Sequence, residues 1–204
     1  MTEGDEGSRD GKWMLSLEGV THVPVDVGAQ AVLELPVGLR VLGGYGVIPS
    51  AFIDLVTPSE YNGEQVDTSL YDGGHAWRLG AGLRPSSRIG LYFDAGLVRA
   101  TLEGSVRQRI GATGAVGDFE LTSRLSLWFF EVGYQGHVAP HVVLGVGLGL
   151  MGTMDASSDV SATPSSLGSN AQALTDEAAN EVDRELESYG VVPTLTLRAG
   201  FDLL

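Results

Sequence analysis

Residues 141–155, HVVLGVGLGLMGTMD, carry the pattern on which the rest of the chain is built. Taken at every second position, they separate into two strips. Val142, Leu144, Val146, Leu148 and Leu150 form one; Val143, Gly145, Gly147, Gly149 and Met151 form the other. Strict alternation is the period of a strand, not of a helix. Bulk lines one side and the other is mostly glycine. In isolation this describes one buried strand of a water-soluble protein. The same alternation returns, however, at 13–19, 25–35, 39–48, 76–84, 89–98, 128–138 and 191–203. About eight strands follow, the number of a small closed barrel.

The connections have a short–long rhythm. Short turns containing Pro36, Pro85 and Pro140 follow the second, fourth and sixth strands. Longer connections are expected at 49–74, with a short helical turn at SAFIDLV (50–56), at 107–117, which is Gly-rich, and at 156–170, which is Ser-rich and reads as flexible. The apolar face changes parity near Arg99, and 121–127 is out of phase with 128–138; each suggests a β-bulge. In 171–188, Leu174, Ala178, Val182 and Leu186 recur every four residues, which predicts a helix in the last long connection. Residues 1–11 read as a disordered polar leader, and 12–204 as a single barrel domain. With an even number of strands, both termini and the three proline turns share one end.

The two faces decide what kind of barrel this is. One is Leu, Val, Ile, Phe, Trp, Tyr and Ala. The other is Gly, Thr and Ser together with Glu18, Asp26, Glu34, Arg40, Arg78, Arg84, Asp94, Glu131, Arg198 and Asp202. A solvated face recruits Lys, Glu and Thr and avoids glycine, which weakens strands. Here Lys12 is the sole lysine, against 29 glycines. Glycine gives room inside a crowded barrel, and arginine suits multidentate pairing with buried carboxylates. The polar face is therefore read as the interior and the apolar face as a surface against lipid. A closed barrel satisfies every backbone group without water, as a bilayer requires. Val142 to Leu150 has about the length a tilted membrane strand needs. Tyr45, Trp77 and Trp128 would form one aromatic girdle, and Trp13, Tyr134 and Phe201 another.

This pattern resembles the small eight-stranded outer-membrane barrels of Gram-negative bacteria, the OmpA/OmpX-like and OmpW-like group. The resemblance covers residues 12–204 and is one of pattern, not of motif. The terminal Arg198-Ala199-Gly200-Phe201-Asp202-Leu203-Leu204 looks like that group's assembly signal, with leucine where an aromatic residue usually ends it. It implies an all-β, up-and-down antiparallel transmembrane barrel in the outer membrane. The implied role is an envelope anchor or a platform for adhesion or partner binding.

Composition narrows the chemistry. A net charge of −14 argues against nucleic-acid binding. There is no cysteine, hence no disulfide or thiolate metal site. Residues 1–11 contain no apolar signal-peptide core, so an outer-membrane destination implies a mature form. No apolar run is long enough for a transmembrane helix. None of His22, His75, His137 and His141 is followed two residues on by serine, as in barrel deacylases. Asp72 and His75 with the acids of 49–74 read as a solvated loop rather than a metal site. GVGLGL (145–150) keeps a period of two and opens no helix, unlike a nucleotide loop. No catalytic, cofactor or metal residue is expected. The partners expected are the lipid bilayer and an envelope protein meeting the long loops or the 171–188 helix. The inward charges read as a structural network in a filled lumen. Two other readings stay open: a narrow channel for small solutes, and a soluble lipocalin-like carrier of an apolar ligand with the faces reversed.

Overall fold

The computed structural model describes residues 13–56, 60–61, 64–65, 71–86, 89–110, 115–162 and 191–203. The leader 1–11 and the helix expected at 171–188 lie outside the described residues. The strands are β1 (Met14–Val23), β2 (Asp26–Glu34), β3 (Leu39–Pro49), β4 (Glu60–Tyr61), β5 (Glu64–Gln65), β6 (Tyr71–Leu83), β7 (Leu91–Ile110), β8 (Ala115–Ala139), β9 (Val142–Ala162) and β10 (Val191–Asp202). One helix, α1 (Ser50–Val56), follows β3. Eight strands close a barrel in the order β1-β10-β9-β8-β7-β6-β3-β2, every pair antiparallel. The small β4–β5 pair stands apart from it.

Closure joins the two ends of the chain: Ser16 lies opposite Asp202, and Val23 opposite Leu195. Both termini thus share an end with the turns after β2, β6 and β8. Gly38 (φ 77°) and Gly90 (φ 72°) take left-handed conformations in two of these turns, where a side chain would be strained. In the third, His141 adopts φ 70° without being glycine.

The barrel is inverted relative to a water-soluble one. Leu144, Val146, Leu148, Leu195 and Leu197 are exposed on the outer wall, with Leu148 at 68 %. Glu18, Arg40, Asp94 and Glu131 are buried inside, none more than 2 % exposed.

Where the chain departs from simple alternation, the structure differs from the sequence reading. There is no bulge near Arg99. β7 pairs with β8 in unbroken register from Leu91 to Ile110, and with β6 without a shift across Arg99. What changes is the side on which bulk is needed. On the exterior of β7, Leu91 and Leu97 give way to Arg99, Thr101 and Glu103. On the interior, Tyr92 and Asp94 give way to Val98, Ala100 and Leu102. β8 also keeps one parity: Leu121, Ser123, Leu125 and Phe129 are buried on the same side as Glu131 and Gln135. The one irregularity here is on β9. Asp155 pairs with Ser126 and Thr153 with Leu127, leaving Met154 as the extra residue, 61 % exposed.

Along β7 and β8 the upper part of the barrel therefore has the polarity of an ordinary sheet, polar outside and apolar inside. Leu42, Ile48, Val98, Ala100, Leu125, Phe129 and Met151 form an apolar cluster there, joined by Ile53 of α1. Two expected loops are shorter than supposed. The 107–117 stretch is strand up to Ile110 and again from Ala115, and the Ser-rich stretch is strand up to Ala162. Along 156–159 period-two reading missed the strand because the exposed side, Ser157 and Asp159, is small or charged. Likewise β6 begins at Tyr71, inside the connection expected at 49–74.

Candidate functional site

The charged interior is built around Arg198 of β10. Its Nη2 donates to Asp94 Oδ2 at 3.2 Å and to Glu131 Oε1 in a closer contact, and its Nη1 lies 3.8 Å from Glu18 Oε2. One guanidinium thus meets carboxylates of β1, β7 and β8. Glu131 also accepts from Tyr92 Oη at 2.7 Å and Thr196 Oγ1 at 2.6 Å. Glu18 accepts from Ser16 at 3.0 Å, Gln30 at 2.8 Å and Gln135 at 3.2 Å. A buried carboxylate is tolerable when its lone pairs are taken up in this way.

Arg40 and Asp94 form a second pair, 3.7 Å apart and fully buried. The guanidinium carbons of Arg40 and Arg198 each lie 4.5 Å from the centre of the Tyr92 ring. The electron-rich face of that ring adds a cation–π attraction that grows with desolvation. Toward the β1–β2 turn, Arg78 sits over Phe129 at 4.6 Å and 3.9 Å from Asp26, which His22 Nδ1 meets at 2.6 Å. At the terminal end, Arg84 reaches Glu34 at 3.2 Å and His137 Nε2 reaches Asp202 at 2.6 Å.

Glycine makes this packing possible. A methyl group at Gly133 would collide with the Tyr92 hydroxyl, and one at Gly82 with the Asp94 carboxylate. At Gly147 it would stand 2.6 Å from Glu131 Oε1. Gly133→Ala should therefore destabilise the barrel by about 1–3 kcal/mol, the usual range for over-packing. The check is the temperature at which the folded band converts to the unfolded one on a gel. An unchanged conversion temperature would mean that the interior has slack.

All ten charged residues singled out from the sequence lie on the interior strip; Glu34 is half-buried and the rest are buried. Counting charges alone omits Tyr92, His22, Gln30, Gln135, Thr196 and His137, which supply much of the hydrogen bonding. Tyr92 had a visible signal: a large aromatic residue on a strip otherwise of glycine and charge. Among the aromatic candidates, Trp13, Tyr45, Trp77, Tyr134 and Phe201 are exposed on the outer wall and Trp128 is half-buried. Tyr45 pairs across the sheet with Trp77 and stacks on His75, ring centres 6.1 Å apart. His75 also lies 4.0 Å from Glu103. Among the described residues, no cluster of three or more His, Asp or Glu side chains is arranged to hold a metal ion.

No family model and no curated protein sequence matches the chain. Among solved structures, a major outer membrane protein from Thermus thermophilus is 14 % identical, covering 94 % of this chain and 100 % of that one, with a TM-score of 0.53. CarO from Acinetobacter baumannii is 16 % identical, covering 92 % and 96 %, with a TM-score of 0.44. CarO2 from the same organism is 12 % identical, covering 93 % and 98 %, at 0.46. At such identities the likeness to the Thermus protein is one of fold.

Proposed function

We propose that this chain is a non-enzymatic outer-membrane β-barrel, an envelope anchor or partner-binding platform whose lumen is filled by its own side chains. The observation that carries this reading is the inverted polarity: exposed leucines over the wall and paired arginines within. In water that wall would be a very large apolar patch, far beyond what soluble monomers expose. In a bilayer it is the lipid face, and the switch at Arg99 marks where hydrocarbon ends. Above that level the wall meets water, which accounts for the apolar cluster inside. By the habit of bacterial barrels, the termini and the turns after β2, β6 and β8 face the periplasm, and the opposite end, with the long connections and the β1–β2 turn, faces outward.

The charged interior argues against a carrier of apolar ligands, which needs an apolar cavity. The interlocked pairs around Arg198 and Tyr92 favour a structural lumen over a solute channel. The test is membrane fractionation combined with gel mobility before and after boiling. The protein should sediment with the outer membrane, need detergent for extraction, and run as a compact band until heated. Recovery as a detergent-free monomer would sink the reading.

A further inference from the structure

The described side chains include arginines in two settings. Arg40, Arg78, Arg84 and Arg198 point inward and are buried. Arg99 of β7 and Arg124 of β8 are exposed on the outer wall. Arg99 lies opposite Ser126, and Arg124 opposite Thr101. The two are diagonal neighbours on one face of adjacent strands, about 7–8 Å apart at the backbone. Side chains of that length can converge on one small anion.

The level at which they sit is defined by their own strands. Outward from β8 come Phe130, Trp128, Ser126 and then Arg124; outward from β7 come Leu97, Arg99 and then Thr101. Trp77 of β6 lies directly across from Arg99. Aliphatic wall, aromatic rim and guanidinium thus follow one another within two turns of the pleat. That is the order of acyl chain, interface and headgroup in a lipid leaflet. Carboxylates are near but not engaged. Glu103, which faces His75, and Asp155 of β9 are each diagonal neighbours of Arg124 on the strands flanking β8. Among the described residues, none lies within ion-pair distance of either arginine.

We infer that Arg99 and Arg124 form a docking site for the phosphate headgroup of a membrane lipid, its acyl chains lying against Trp77, Leu97 and Phe130. This rests on the membrane reading above. A phosphate monoester, small and doubly charged, suits two guanidinium forks better than a diester does. The neighbouring Thr101 and Ser126 hydroxyls provide further donors.

The chain contains three tryptophans, Trp13, Trp77 and Trp128, which makes the test direct. In Trp13→Phe protein, the remaining fluorescence comes from beside the proposed site. The protein is reconstituted at low salt in phosphatidylcholine containing dibrominated phosphatidic acid, dibrominated phosphatidylglycerol or dibrominated phosphatidylcholine. Quenching then gives relative occupancy. Phosphatidic acid should be preferred over phosphatidylcholine by about tenfold, the size expected of charge-assisted hydrogen bonds, with phosphatidylglycerol between them. Arg99→Ala with Arg124→Ala should erase the preference, and the paired lysine substitutions should restore part of it. Glu103→Gln should leave it in place.

Equal quenching by all three lipids, or a preference that survives loss of both arginines, would overturn the site. Displacement of the phosphatidic acid effect by equimolar inorganic phosphate would show a free-ion site instead of a lipid site. Absence of quenching by any brominated lipid would instead refute the membrane reading, and the site with it. Heat-modifiable mobility of each variant separates loss of binding from loss of the barrel.

Discussion

Arg198→Ala should destabilise the barrel by about 3–5 kcal/mol, the cost of stranding buried charges by removing one partner. Arg198 is the common cation of Glu18, Asp94 and Glu131. Without it, Glu18 keeps its hydrogen bonds from Ser16, Gln30 and Gln135, and Asp94 keeps Arg40. Glu131 keeps only Tyr92 and Thr196, neither of which carries a compensating charge. Folded and unfolded populations at increasing urea, read by gel mobility from lipid vesicles, measure the loss. Adding Glu131→Gln to the alanine variant should recover part of it, because the most exposed deficit is then neutral. If Arg198→Ala unfolds at the wild-type urea concentration, the network contributes little and the interior is wetter than its geometry implies.

Leu148→Arg should cost about 2–4 kcal/mol by the same measurement, if the wall lies in hydrocarbon. Leu148 is the most exposed of the β9 leucines and pairs with Val132 on one side and Leu195 on the other. A guanidinium there has no partner and no water. Arginine in place of Asp159, exposed above the aromatic rim and opposite Thr122, should change stability little. This contrast is the value of the pair. A soluble barrel would accept arginine at either exposed position, so equal and small effects would remove the bilayer from the interpretation.

The fold was legible wherever bulk and glycine alternate against each other. β2, β3, β9 up to Met151, and β10 each display the two strips directly, and their registers follow. Legibility failed at Arg99 and at 121–127, for one physical reason. Alternation reports a difference between the media on the two sides of a sheet. When that difference reverses sign, the apolar strip changes sides while the backbone runs straight on. A bulge gives the same signature in sequence, and only pairing distinguishes them. The true irregularity at Met154 was hidden by the glycines around it, which suit either face. Within the interior, charges were easy to select because charge on a strip of glycine is conspicuous. Ser16, Gln30, Gln135 and Thr196 were not, because hydroxyls and amides are unremarkable on any polar strip.

The position of Arg198 also bears on the order in which the barrel comes together. The carboxylates of Glu18, Asp94 and Glu131 belong to β1, β7 and β8, whereas the guanidinium that gathers them is on β10, the strand that closes the seam with β1. An incomplete sheet ending at β9 carries these acids without their principal counter-ion, so water must remain among them. Docking of β10 against β1 and β9 closes the seam and supplies the missing positive charge in one event. Drying of the lumen is thereby tied to closure, because the three carboxylates gain their shared counter-ion only when β10 is paired on both sides.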